Sequence, residues 1–115
     1  MLQRWLGAPK LGEPRRQRPR RIARYFDCTW VTAWGEERAR VSSLSLTGCY
    51  IESRFSVPPD GELVRDLVIA LPTGSVNLQG TVLNAMSGVG FAVRFSDLDT
   101  KTREHLSALI HVAQR

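Results

Sequence analysis

The residues with the clearest chemical potential are Arg20-Arg21-Ile22-Ala23-Arg24 and, further along, Ser43-Leu44-Ser45-Leu46-Thr47-Gly48. A guanidinium is planar, permanently charged and forked. It matches a phosphate oxygen pair or the O6/N7 edge of guanine, and its plane can stack on a purine. The second stretch offers hydroxyls that both donate and accept, and a glycine that lets a ligand approach the backbone. Together they point to a nucleotide carrying more than one phosphate. Each stretch alone has a plainer reading. A basic tail is usually solvated or loosely bound to nucleic acid, and a Ser/Gly stretch is usually a hairpin turn whose serine satisfies local backbone groups.

To act on one ligand the two stretches must be carried to the same place, and the intervening pattern is that of strands. From Phe26 to Trp34 the positions Cys28, Trp30, Thr32 and Trp34 alternate with Asp27, Thr29, Val31 and Ala33, a period of two. Gly35-Glu36-Glu37 reads as a turn, Arg38 to Leu44 as a second strand and Gly48 to Glu52 as a third. After the loop Val57-Pro58-Pro59-Asp60-Gly61, three more strands are expected: Leu63–Leu71, Val76–Val82 and Val89–Phe95. In the last, Val89, Phe91, Val93 and Phe95 share one face. About six short strands with tight connections predict a closed antiparallel barrel, which leaves no exposed edges. The period then changes: Leu98, Thr102, His105, Leu106, Leu109, Ile110 and Ala113 fall on one face of a C-terminal helix, with Asp97, Asp99 or Thr100 available as its cap.

The charge is concentrated at one end. Residues 1–24 hold eight Lys/Arg against one acid, Glu13, while the remaining residues hold eight against ten, so the net +5 comes from the N-terminal part. Pro9, Gly12, Pro14 and Pro19 break periodicity there, which predicts a flexible basic arm over 1–19 followed by one domain over 20–115. Trp5 and Leu6 are its apolar exceptions. An anionic partner should be met by the arm.

Composition narrows the classes of function. Hydrophobic content of 43% and charged content of 23% are those of a soluble domain, no apolar run approaches a membrane span, and Met1 to Gly7 lacks a secretory h-region. A cytoplasmic location is expected. Cys28 and Cys49, with two histidines, make no metal pattern and are expected to be buried and reduced. His105 and His111 lie six positions apart on the helix and face different directions; with no acid pair, nucleophile constellation or phosphate loop, an enzyme is not expected, nor a cofactor. The slightly acidic remainder offers no basic face to continue a nucleic-acid track, so no specific DNA or RNA partner is expected.

The order and setting of the two stretches resemble the PilZ family of bacterial cyclic di-GMP receptors, whose pattern is RxxxR followed by (D/N)xSxxG on a six-stranded β-barrel with a C-terminal helix. Arg20 to Arg24 matches the first motif and Ser43 to Gly48 the second, and Gly88-Val89-Gly90-Phe91-Ala92-Val93-Arg94-Phe95 looks like the family's glycine-rich late strand. The resemblance covers about residues 15–110. It implies that Arg20 and Arg24 grip phosphates and guanine edges of a stacked cyclic di-GMP dimer or of a single molecule, Arg21 adds charge or stacking, Ser45 hydrogen-bonds the ligand, and Gly48 leaves room for it. It further implies a signalling receptor that orders its arm around the ligand and alters its contact with an effector protein, or an adaptor that no longer binds nucleotide. Two features depart from the pattern. Ser43 stands where the family prefers Asp or Asn, with a shorter side chain that lacks the second oxygen or the amide. The arm also offers the register Arg16/Arg20; Arg20/Arg24 is preferred because Arg24-Tyr25 leads straight into the first strand.

Overall fold

The period-two pattern from Phe26 becomes the wall of a barrel. The computed structural model describes residues 21–54 and 57–113; the expected arm over 1–19, with Trp5 and Leu6, and Arg20 lie outside the described residues. The elements are β1 (Arg21–Ile22), β2 (Phe26–Thr32), β3 (Gly35–Ser45), β4 (Gly48–Glu52), β5 (Leu63–Leu71), β6 (Gly74–Met86), β7 (Gly90–Phe95) and α1 (Thr100–Ala113). Every strand pairing is antiparallel. β2 pairs with β3 and β5, β3 with β4, β4 with β7, β7 with β6 and β6 with β5, so six strands close on themselves as the alternation predicts. The short β1 adds to the β3 edge that also carries β2.

Inward-facing side chains fill the ring. Trp30, Leu44, Ile51, Leu67, Ile69 and Phe91 are buried, and the Trp30 and Phe91 rings meet edge to face with centroids 5.3 Å apart. Such a pair adds about 0.5–1.5 kcal/mol beyond the area it buries. The expected helix is present and its predicted face is the buried one. Leu106, Leu109 and Ile110 pack into the same core, α1 lies against β1, and the Thr73 hydroxyl in the β5–β6 turn hydrogen-bonds His105 Nε2. Of the three cap candidates Asp99 is the one used: its Oδ1 accepts the Thr102 N–H at 2.7 Å.

Several expectations at strand ends need correction. Trp34 shares the alternation of Cys28 and Trp30, which are buried, but it is 92% exposed, because β2 stops at Thr32. The turn is Ala33-Trp34 rather than Gly35-Glu36-Glu37, and Gly35 already belongs to β3. Thr32 causes this: its hydroxyl accepts the Trp34 N–H (3.1 Å) and donates to the Gly35 carbonyl (2.9 Å). Gly35 completes the reversal at φ 131°, which a residue with a Cβ rarely adopts. Val89, read on one strand face with Phe91, Val93 and Phe95, lies instead in the β6–β7 turn and is exposed, since the strand starts at Gly90.

Candidate ligand-binding site

The register of β3 joins the two motifs. Arg21 pairs with Ser45 and Ile22 with Leu44, then Phe26 pairs with Val41, which leaves residues 23–25 opposite Ser42 and Ser43. Three residues against two form an outward bow in the edge, and Arg24 sits at its middle. The Arg24 side chain is exposed and its guanidinium carbon lies 5.8 Å from the Phe26 ring centroid. Next to it, Tyr25 is covered by Arg40, with Cζ 4.3 Å from the ring centroid, and Arg40 reaches Glu52 at 3.6 Å. Arg40 is thus already engaged, while among the described residues Arg24 meets the Phe26 ring in a weak contact of the cation–π kind. For Arg21 the structure fixes the backbone pairing; Arg20 lies outside the described residues.

Ser43, Ser45 and Gly48 line one face of an open hollow of about 900 Å³ on the outer surface of the barrel. Ser45 is buried, and its Oγ accepts the N–H groups of Thr47 (3.2 Å) and Gly48 (3.3 Å). The hydroxyl therefore builds the turn that carries the site. Gly48 has a structural reason that spacing alone did not reveal: a Cβ there would stand 2.3 Å from the Val93 carbonyl oxygen on β7. The glycine lets β4 and β7 close against each other, so the room it makes is filled by backbone. Ser43 is half-buried and pairs with Tyr50 on β4.

The sequence model of the PilZ domain matches residues 14–111. The chain belongs to the PilZ family. No curated protein matches it. Among solved structures, the PilZ domain of YcgR with c-di-GMP from Escherichia coli is similar at 16% identity and a TM-score of 0.73, covering 87% of this chain and 92% of that one. The YcgR complex with c-di-GMP from the same organism matches at 18% identity and TM-score 0.72, covering 87% and 46%. The inhibitor of motility MotI/DgrA from Bacillus subtilis matches at 17% identity and TM-score 0.73, covering 84% and 50%. This chain therefore spans about half the length of those two longer relatives. At such identities the likeness speaks for the fold.

In this PilZ domain the hollow has lining residues that neither motif names. Arg94 faces outward from β7 across from Gly48, Asn84 sits at a bulge in β6 with φ 52°, and Asp97 and Arg103 come from the β7–α1 loop and the first turn of α1. Arg94 was findable, because it is the outward position between inward Val93 and Phe95. Arg103 was not, since nothing in the helical period says which loop the helix start adjoins. Among the described residues no three His, Cys, Asp or Glu side chains are grouped to hold a metal, and no helix is long and apolar enough to cross a membrane. Cys28 and Cys49 are free and buried. Burial first, then the charge of Asp27, pushes the Cys28 thiol up to about 12, and burial raises Cys49 as well.

Proposed function

We propose that this PilZ domain is a receptor for cyclic di-GMP, a dianion with two phosphodiesters and two guanines. Arg20 and Arg24 grip phosphate oxygens and guanine edges, Arg21 adds charge, Ser43 offers a hydroxyl, and Ser45 and Gly48 hold the turn that shapes the surface. The observation that carries this reading is the pairing of Arg21 with Ser45, which puts the arginine stretch and the serine stretch on adjacent backbones. The presence of c-di-GMP in the YcgR structures supports it by analogy. Ligand binding orders the arm against β3 and changes the face shown to an effector protein. Two free buried cysteines fit a reducing, cytoplasmic setting.

Isothermal calorimetry of the full chain with cyclic di-GMP tests this. Binding is expected, with loss in Arg20→Ala and in Arg24→Ala. Absence of heat from the wild type at tens of micromolar ligand, where a binding energy of about −6 to −7 kcal/mol would register, overturns it.

One observation favours a second reading, an adaptor that has given up the nucleotide. The Ser45 hydroxyl is occupied by its own turn and the space beside Gly48 by Val93, so both motif residues have a purely architectural use. Capture of a partner protein with equal efficiency in the presence or absence of nucleotide, and by Arg24→Ala, supports that reading.

A further inference from the structure

The hollow has a second wall, and its chemistry mirrors the arm. Arg94 stands across from Gly48, and the Phe95 N–H donates to the Thr47 carbonyl at 2.8 Å, which ties the end of β7 to the serine turn. Asp97 follows two residues later, and Arg103 extends from α1, whose start is fixed by the Asp99 cap. All three side chains are exposed, and among the described residues neither arginine forms a salt bridge. Their backbones belong to a paired strand, a tied loop and a capped helix, which is the rigid support a binding group needs. β4 separates this wall from β3, so it stands two strand spacings, about 10 Å, from the strand that holds the arm.

A cyclic dinucleotide carries its two phosphodiesters on opposite sides of one ring, and a single row of cations reaches only one of them. Resting on the cyclic di-GMP reading of this hollow, we propose that Arg94 and Arg103 grip the ligand from the side opposite the arm and that Asp97 reads its guanine. A carboxylate accepts from guanine N1–H and N2–H. Adenine presents no donor at N1, so Asp97 discriminates between the two bases. It also supplies a carboxylate, which Ser43 does not.

The test is calorimetry of the full chain with cyclic di-GMP and cyclic di-AMP. Arg94→Gln and Arg103→Gln are each expected to weaken cyclic di-GMP binding about tenfold or more, about 1.4 kcal/mol. Asp97→Ala is expected to erode the preference for guanine over adenine by a similar factor, and Arg38→Gln, which lies outside the hollow, to change neither. A wild type that binds, loses binding in Arg24→Ala and is indifferent to Arg94→Gln and Arg103→Gln overturns the second wall and leaves the arm in place. A wild type that binds no cyclic di-GMP ends both. Should a variant fail to fold, amide chemical shifts of the wild type decide: movement at Arg94, Asp97 and Arg103 on saturation supports the wall, and stillness there overturns it.

Discussion

Gly48 shows how one residue can satisfy a motif and the barrel together. Its missing Cβ is required by the Val93 carbonyl, which is backbone and cannot swing aside. Gly48→Ala is therefore expected to destabilise the fold by about 1–3 kcal/mol, the usual cost of overpacking, read as a lowered midpoint in urea denaturation without any ligand present. An unchanged midpoint would mean that β4 and β7 can part locally. Position and identity of this glycine were legible in the sequence as part of SxSxxG. Its reason was not, because the atom it makes way for lies 45 residues further on. Ser45 is the opposite case: the plain reading of a Ser/Gly turn, a serine that satisfies local backbone groups, is what its bonds to Thr47 and Gly48 show, whereas a bond to ligand is implied only by the family pattern.

At the scale of the elements, inward faces were legible and their ends less so. Period two identified Cys28, Trp30, Phe91 and Val93 as core because alternation is a property of the strand itself. It could not say where a strand stops. The stop after Thr32 is made by a hydroxyl bridging the turn, and a β-branched threonine otherwise reads as strand. The start of α1 is set by a similar local bond, and it carries a pH signature. The Thr102 backbone N–H, and then its side chain, lower the Asp99 pKa from 3.8. A carboxyl with a depressed folded value stabilises above its unfolded value and loses that contribution as pH falls through the folded one. Asp99→Ala is expected to lower the melting temperature at pH 7, and the gap between variant and wild type should close in acid below 3.8. A gap that persists undiminished at low pH would show that the carboxylate is not the stabilising group.

For the whole molecule, the closed ring gathers the candidate site from distant parts of the chain. β1, the serine turn, the end of β7 and the first turn of α1 meet at one end, while the Ala33-Trp34 hairpin tip lies at the other. Barrel and helix were legible from pattern; this convergence was not, because registers such as Gly48 with Arg94 depend on closure of the ring. Closure also buries both thiols, so global stability should depend on alkali. An unfolded thiol ionises near 9.0, whereas the folded Cys28 holds its proton to about 12. Across that window the native state binds more protons than the unfolded one, so stability falls as pH rises. Thermal melts from pH 8 to 11 should show a decline that is shallower in the Cys28→Ala, Cys49→Ala double variant; equal slopes would refute the assignment.

The two-residue strand β1 has a consequence for kinetics. Ile22 is 4% exposed, bonded along β3 and packed near α1, so it is a fixed anchor for everything before it. Along the sequence Arg20 stands two residues from that anchor, a contour length of about 7 Å at most, and Arg16 six residues, about 20 Å at most. In the cyclic di-GMP reading proposed above, a group tethered by so few residues acts at an effective concentration of millimolar order or above. On that reading, capture by Arg20 of a ligand already resting on the barrel is a unimolecular step, and the number of residues between Arg20 and Ile22, rather than the number of arginines, sets how long the ligand stays.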